Sequence, residues 1–306
     1  MNQLPSIMRR IERIDAAHVI FRSVLGDVTP DLIFEQRRLL FSDDEARLYE
    51  NTGNDRELAE AVLGVDFPRI VTAVDLEHYT SVQSLRGIIS SKAFYLRAVA
   101  RHLQHHEFTS FARDHDLDGY FDAGQSGQQV FEELTDDLFF LSLTEPGHPN
   151  EGHMWEEFGK SGRGIRMRLR VTPKPPADLR RMGYAKGTPT AFKRINDDLK
   201  RKLGLVYTPW GVSRICAFYL PLGYEPEREV RLLIKRHSDG VDLTIPHEGY
   251  QAWPVALVPP GGALSDPCCG IELVGIEVGP KGSEQAVRGV IANTVYDQVP
   301  IARANP

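Results

Sequence analysis

The chain of 306 residues has few cysteines and no long apolar run. Its three cysteines, Cys216, Cys268 and Cys269, are odd in number and two are adjacent, which suits neither a disulfide framework nor paired zinc-ligand spacing. No stretch approaches the roughly 18 apolar residues of a membrane span, and the first residues lack the basic and then apolar segments of a secretory signal. We therefore expect a cytoplasmic protein with reduced, structural thiols and no membrane partner.

The sequence also lacks the usual signatures of metal and phosphate sites. His102, His105 and His106 have helical spacing, but no second pair of ligands with matching spacing appears, so a surface cluster is favoured. The segment from Gly124 to Gly127 is too short for a Walker-type phosphate loop. We expect no metal, and nuclease or phosphotransferase chemistry ranks last among the candidate functions.

The net charge of −6 conceals one strongly basic segment. From Lys160 to Arg214 there are 15 lysines and arginines against three aspartates. Such a segment in an acidic protein is typical of a surface for a polyanion such as RNA or DNA. An equally weighted alternative is that it pairs with acidic residues of the protein itself or of a partner. The residues expected to bind nucleic acid are Arg166, Arg168, Arg170, Lys193 and Arg194.

Residues 1–68 are predicted to form a helical extension. Ser6 can cap a first helix, Thr29-Pro30 a second, and Ser42 with Glu45 has the spacing of a capping box for a third. Asn54 is expected to start a fourth short helix. Because no catalytic groups cluster here, the expected role is packing or partner binding.

Residues 69–306 are predicted to mix strands and helices without the regular alternation of a parallel sheet, so the expected class is α+β. The apolar run Leu138–Leu143 indicates a buried strand, and Gly164–Val171 alternates between apolar and basic residues. The segment Pro189–Leu203 has the pattern of an amphipathic helix that ends at Gly204.

Two segments carry the candidate chemistry. His78-Tyr79-Thr80 is predicted at a strand-to-helix junction, where a histidine can bind a sugar hydroxyl. Glu227 and Glu229, two residues apart, are predicted on one strand face beside Arg231. A carboxylate in such a place can stabilise an oxocarbenium-like transition state. Taken singly, a structural histidine and a charged face of an edge strand are the commoner explanations.

The order of several motifs resembles a bacterial family of domains of unknown function, over residues 75 to 297. That family is in turn similar to ADP-ribosyltransferases of the His-Tyr-Glu kind, which bind NAD in the cleft of a split β-sheet. One departure is Gln104-His105-His106-Glu107, where that family has an Asn-Asp pair. The motifs are His78-Tyr79-Thr80-Ser81, Leu141-Ser142-Leu143-Thr144-Glu145, Met154-Trp155-Glu156-Glu157-Phe158-Gly159, Gly162-Arg163-Gly164-Ile165, Glu227-x-Glu229-x-Arg231 and Ile276-x-Val278-Gly279-Pro280-Lys281.

The resemblance implies a role for individual residues. His78 would bind the adenosine-side ribose, and the backbone of Tyr79 would hold the nicotinamide carboxamide. Glu229 would be the catalytic glutamate on the 2′-hydroxyl of the nicotinamide ribose, and Glu227 would orient an acceptor. The aromatic residue that stacks on nicotinamide has no obvious equivalent. The residues expected to bind NAD are His78, Tyr79, Thr80, Ser142 and the aromatic candidates Tyr95, Trp155 and Phe158.

The leading expectation is an NAD-dependent ADP-ribosyltransferase with a split-sheet core that modifies a cytoplasmic target, with RNA or DNA as an expected acceptor. Such an activity fits a toxin or antiphage effector, restrained by an inhibitory antitoxin or chaperone that docks on the helical extension. The alternative is a non-catalytic module, nucleic-acid-binding or regulatory, on a degenerate transferase fold. The missing aromatic residue motivates that alternative.

Overall fold

The structure is a computed structural model that describes residues 4–26, 39–42, 44, 46–50, 57–99, 106–117, 119, 121–123, 127, 129–135, 137–185, 189–209, 212–236, 242–263 and 266–305. The helices are α1 (Leu4–Leu25), α2 (Glu57–Asp66), α3 (Val82–Ser91), α4 (His106–Asp114), α5 (Val130–Thr135), α6 (Glu151–Glu157), α7 (Ala191–Leu203), α8 (Val212–Cys216), a 3₁₀-helix (Leu222–Glu227) and α9 (Glu284–Ile291). The strands are β1 (Leu39–Phe41), β2 (Arg47–Glu50), β3 (Val74–Thr80), β4 (Ala93–Ala98), β5 (Leu138–Thr144), β6 (Ile165–Pro173), β7 (Asp178–Arg181), β8 (Gly183–Tyr184), β9 (Val206–Thr208), β10 (Tyr219–Leu220), β11 (Glu229–Lys235), β12 (Ile245–His247), β13 (Tyr250–Val258), β14 (Cys269–Val278) and β15 (Ile301–Arg303).

Ten of the strands form one large sheet in the order β12-β13-β14-β6-β3-β5-β11-β7, with β15 beside β14. The tenth strand, β4, pairs with both β13 and β5. Because of this double pairing, the strands β13-β14-β6-β3-β5-β4 close into a ring. The chain is therefore an α+β protein built around one large, partly closed sheet.

The ring is weakly paired at one place, between β3 and β5. These two strands pair only at Glu77 and Thr144, the last residue of β5. Strand β4 pairs with β5 nearer its first residue, where Arg97 lies opposite Phe140. The stretch of β5 between these two pairings has no strand partner on that side among the described residues. A sheet that separates in this way leaves room for a cleft between its strands.

The apolar face of the ring forms one core with α3 and α9. Ser81 caps α3, since its hydroxyl accepts a hydrogen bond from the Ser84 amide at 2.9 Å, and Leu85 and Ile89 point into the core. The predictions of a strand-to-helix junction after His78 and of a buried strand at β5 are confirmed.

A second core joins α1, α2, α4, α7 and α8 to the small sheet β1-β2-β9. Helix α7 begins after Thr190, whose hydroxyl accepts from the Lys193 amide at 3.0 Å, and ends at Gly204, which has a φ of 65°. Phe192, Ile195 and Leu199 are buried along one side. The predicted amphipathic helix is confirmed.

The predicted helical extension over residues 1–68 contains the helices α1 and α2, but the third predicted helix is wrong, since β1 and β2 form a hairpin there. Ser42 does not cap a helix but lies in the turn that joins β1 to β2, where its amide donates to the Arg47 carbonyl at 2.9 Å. Ser6 lies inside α1 rather than before it. Strand β2 pairs in parallel with β9, so the first elements share a core with later ones. Thr29-Pro30 and Asn54 lie outside the described residues, and the division at residue 68 stays a prediction.

Two further findings concern the cysteines and the helices. Cys216, Cys268 and Cys269 are all described, free and buried. In the described part of the chain, no helix has both the length and the apolar character needed to cross a membrane.

Candidate functional site

A cleft of about 940 Å³ opens where β3 and β5 separate. Its volume lies within the range typical of sites for small molecules and cofactors. The walls come from β3, α3, β4, β5, α6 with the residue that follows it, the end of the 3₁₀-helix, the start of β11 and the hairpin of β12 and β13. The cleft brings together eight residues that the sequence predicts as site residues: His78, Tyr79, Thr80, Tyr95, Ser142, Phe158, Glu227 and Glu229.

His78 lies where the two strands part. Its Nδ1 donates a hydrogen bond to the carbonyl oxygen of Ser142 at 3.0 Å, in place of a backbone donor. Because a carbonyl only accepts, Nδ1 carries the proton and Nε2 of the neutral ring is an acceptor. Burial lowers the pKa of His78, which favours this neutral form. An edge contact with Phe94, at 5.7 Å between ring centroids, fixes the plane of the imidazole.

The side chain of Tyr79 is held by its neighbours. Its ring meets Trp155 edge-on at 5.0 Å, and its Oη accepts a hydrogen bond from Arg166 at 2.9 Å. Burial raises the pKa of Tyr79 to about 12, so the phenol stays neutral near physiological pH.

Trp155 was expected in the cleft, and that expectation is wrong. The indole is buried beneath Tyr79 and does not line the cleft. A Cβ at Gly159 would lie only 2.5 Å from Cε3 of Trp155, so a glycine at this position allows the ring to pack so closely. Phe158, in contrast, lines the cleft and is 40% exposed. Phe158 and Tyr95 therefore remain as aromatic candidates.

Glu229 is the first residue of β11 and is only 4% exposed. Its two carboxylate oxygens accept hydrogen bonds from Nε and Nη2 of Arg231, at 2.8 and 2.9 Å. Its amide donates to the hydroxyl of Tyr184 at 2.8 Å. Arg231 is itself fixed, because Nη1 donates to the Ala217 carbonyl at 2.7 Å and the guanidinium lies 4.4 Å from the ring centroid of Phe140. The carboxylate thus has one well-defined orientation.

Glu227 does not lie on the strand, contrary to the prediction. It ends the 3₁₀-helix, and Arg228 then adopts the left-handed region with a φ of 44°. The turn at Arg228 nevertheless brings Glu227 and Glu229 to the same cleft. The alternative of a charged face on an edge strand is also wrong, because β11 lies between β5 and β7.

The sequence did not single out Glu77 and Thr144 as site residues. Thr144 pairs with Glu77 on one side and with Glu229 on the other, so the three residues form a row across adjacent strands. All three line the cleft, and Oγ1 of Thr144 is buried without a hydrogen-bond partner among the described residues. A threonine in a buried strand gives no local signal of this, because the row depends on the register of three distant strands.

The hairpin of β12 and β13 adds a second group that the sequence did not reveal. His247, Glu248 and Tyr250 line the cleft together with Tyr95 and Arg97 of β4. The imidazole of His247 stacks on Tyr95, with 4.1 Å between the ring centroids. No motif marks these residues, since they meet only when β13 pairs with β4.

The arginines of β6 are paired with carboxylates. Arg166 is buried and binds Glu277, Glu151 and, at 3.0 Å, Glu77, so it is not accessible to a polyanion. Arg168 contacts Glu277 at 3.5 Å, and Arg170 contacts Asp75 at 2.8 Å. The alternative in which the basic segment pairs with the protein's own acidic residues thus holds for this strand.

The remaining basic candidates lie on α7. Lys193 pairs with Asp197 at 3.3 Å and Asp116 at 3.7 Å, whereas Arg194 is exposed. None of the five predicted nucleic-acid-binding residues lines the cleft. His102 and His105 lie outside the described residues, and the described part of the chain contains no group of three or more potential metal ligands.

No protein-family model matches this chain, and no curated protein and no solved structure matches it either. The geometry of the cleft therefore carries the functional argument.

Proposed function

We propose that the cleft binds NAD and that the protein is an ADP-ribosyltransferase acting in the cytoplasm. One observation carries the proposal: His78 and Glu229, far apart in the sequence, line a single cleft at the place where the sheet separates. A neutral imidazole with a free acceptor suits a ribose hydroxyl, and an oriented carboxylate suits the sugar at which a glycosidic bond breaks.

The spacing along β5 supports a ligand with two riboses. His78 is bound to Ser142, whereas Glu229 pairs with Thr144, two residues further along the same strand. At roughly 3.3 Å per residue, these positions are about 7 Å apart along the strand. We assign the adenosine ribose to His78 and the nicotinamide ribose to Glu229.

In the proposed reaction, the bond between C1′ of the ribose and N1 of nicotinamide breaks, and nicotinamide leaves with the bonding electrons. Positive charge then develops on the ribose, and the carboxylate of Glu229, bonded to the 2′-hydroxyl, stabilises it. The guanidinium of Arg231 donates to only some of the four lone-pair positions of this carboxylate, so the carboxylate can also accept a hydrogen bond from a hydroxyl. The acceptor bonds to C1′ and loses its proton, which Glu227 takes up.

The nicotinamide ring requires a wall near Glu229. We assign it to Phe158, which is partly exposed in the cleft, and assign the carboxamide to the backbone of Tyr79, since its side chain is held by Trp155 and Arg166. One face of the Tyr95 ring is covered by His247 of the β12–β13 hairpin, with 4.1 Å between the ring centroids. Tyr95 is therefore not the residue assigned to nicotinamide.

RNA or DNA is the proposed acceptor, in keeping with a toxin or antiphage effector. The supporting observation is narrower than the whole basic segment, because the arginines of β6 are paired with carboxylates, whereas α7 presents exposed basic residues, among them Arg194 and Lys200. Helix α1 exposes Met8 and Val19 on one side, which suits the proposed docking of an inhibitory antitoxin or chaperone.

The test is incubation of the full chain with NAD labelled in the adenylate half, together with RNA, DNA and cell lysate. We expect release of nicotinamide and transfer of label to nucleic acid, both reduced by roughly 10²- to 10³-fold in Glu229→Gln and kept in Arg288→Met, an exposed control on α9. Equal turnover in Glu229→Gln would remove that residue from the mechanism. Salt-sensitive binding of nucleic acid with no NAD consumption would instead favour the non-catalytic module.

A further inference from the structure

We infer that Tyr95, Arg97, His247 and Tyr250 form a subsite for the adenine nucleotide half of the ligand. These four residues are called the aromatic wall below. This inference rests on the proposed function, because it assigns the second base of the dinucleotide, but it concerns different residues and can fail separately. All four line the cleft, and none belongs to a motif that the sequence singled out for this role.

The aromatic wall is built by two backbone features. Strand β4 pairs with β13, which places Tyr95 opposite Pro254 and Arg97 opposite Ala252. The hairpin of β12 and β13 turns through Glu248 and Gly249, whose φ angles of 48° and 82° are those of a two-residue type I′ turn. This turn places His247 directly opposite Tyr250. The wall therefore belongs to the sheet rather than to an irregular loop.

The rings of the wall pack on one another at the lining of the cleft. His247 stacks on Tyr95 with 28° between the ring planes, and it meets Tyr250 edge-on at 5.7 Å between centroids. A purine has a π-face that stacks on such side chains, and stacking of a base on aromatic side chains is common in nucleotide sites. A flexible aliphatic ligand would gain no comparable contact.

Two polar groups complete the wall. Oη of Tyr250 is buried and has no hydrogen-bond partner among the described residues, so it can bind the edge of a base. Arg97 is 45% exposed, and its guanidinium lies 5.3 Å from the ring centroid of Tyr250. It contacts Glu248 through Nη2 at 3.5 Å, which leaves donors of its fork for a phosphate. Tyr250 and Arg97 together could therefore bind a base and its attached phosphate.

The position of the wall distinguishes the two halves of the ligand. Arg97 pairs with Phe140 of β5, and Glu229 pairs with Thr144, four residues further along. At roughly 3.3 Å per residue, Arg97 and the pairing position of Glu229 are about 13 Å apart along β5, whereas Tyr95, two residues before Arg97 on the antiparallel β4, lies nearer to Glu229. His78, bound to Ser142, lies between Arg97 and Glu229. The wall therefore takes the base that is remote from the bond that breaks.

The experiment titrates the full chain, by calorimetry, with AMP and separately with nicotinamide mononucleotide. The variants are Tyr250→Phe, which removes only the hydroxyl, and Arg97→Met, which keeps the aliphatic stem. The matched control is Arg288→Met, because Arg288 is also an exposed arginine with one carboxylate partner and lies outside the cleft lining. Unchanged binding of nicotinamide mononucleotide shows that each variant is folded.

We expect the Kd for AMP to rise about tenfold in Arg97→Met and Tyr250→Phe and to stay unchanged in Arg288→Met. The KM for NAD should rise by a similar factor with an unchanged kcat, since the wall contacts a part of the ligand that does not react. AMP affinity that is equal in all four proteins, or a wild type that binds nicotinamide mononucleotide and not AMP, would overturn the subsite while leaving the proposed function in place. A wild type that binds neither probe and releases no nicotinamide from NAD would overturn both.

Discussion

Two buried arginines of the same sheet, Arg166 and Arg231, have similar partners but different surroundings. Arg166 on β6 is bound by three carboxylates and by the hydroxyl of Tyr79. Arg231 on β11 binds one carboxylate, that of Glu229, and a backbone carbonyl. We call the first group the closed cluster and the second the open pair, since Glu229 lines the cleft.

The difference lies in what each arginine leaves free. In the closed cluster, the guanidinium directs its donors to Glu77, Glu151 and Glu277, and these contacts join β3, β6, β14 and α6. In the open pair, the guanidinium fixes one carboxylate that lines the cleft and retains capacity to accept further hydrogen bonds. The pairing of an arginine with carboxylates thus stabilises the sheet at Arg166 and orients a proposed catalytic group at Arg231.

The largest expected effect is on stability, in Arg166→Met. Removal of this guanidinium leaves buried carboxylates without their counterion, which typically costs about 3 to 5 kcal/mol in the free energy of unfolding. Urea unfolding of the purified variant measures this loss. Arg168→Met is the control, because its side chain is 55% exposed and surface ion pairs contribute about 1 kcal/mol or less. Equal losses in the two variants would contradict a structural role for the closed cluster.

The second prediction concerns activity, in Glu229→Gln. Loss of a group that stabilises charge in the transition state should reduce the kcat for nicotinamide release by roughly 10²- to 10³-fold. Glu277→Gln is the matched change in the closed cluster, and its folded molecules should keep the kcat of the wild type. Similar kcat losses in both variants would remove the distinction between the open pair and the closed cluster.

Local signals explain what the sequence could predict. The strand-to-helix junction after His78 and the end of α7 at Gly204 depend on caps that act within one turn, and both were predicted correctly. The capping-box pattern of Ser42 with Glu45 was misleading, because the pairing of β2 with the distant β9 favours a strand there. Pairing between strands that are distant in the sequence can thus outweigh a local capping pattern.

The candidate site shows the same limit. His78 and Glu229 could be found as motifs, but the row of Glu77, Thr144 and Glu229 depends on the register of three strands. The pairing of Arg166 with Glu277 likewise depends on β14, more than a hundred residues later. Charge counting along the chain could not reveal that the arginines of β6 are already paired.

A smaller effect is expected in Arg231→Lys, within the open pair. Lysine keeps the charge but cannot form both hydrogen bonds to Glu229, and one charge-assisted bond contributes about 1.5 to 3 kcal/mol. We expect part of this free energy to stabilise the transition state. Its loss should then lower kcat by about tenfold or somewhat more while the KM for NAD changes little. Steady-state kinetics of nicotinamide release measures both constants. A raised KM with normal kcat would show that Arg231 serves ligand binding rather than the orientation of Glu229.

The smallest expected effect is the pH dependence of Glu77→Gln, where the closed cluster meets the cleft. Burial raises the pKa of Glu77 above 4.5, although Arg166 and Arg168 oppose this shift. Between pH 4.5 and this raised pKa the folded protein binds more protons than the unfolded chain, and its stability therefore falls as pH rises. The glutamine variant lacks this titration. The difference in unfolding free energy, variant minus wild type, should consequently increase from pH 4.5 upward and then level off, as urea unfolding at several pH values can measure. A difference that decreases over this range would mean that Arg166 outweighs burial in setting the pKa of Glu77.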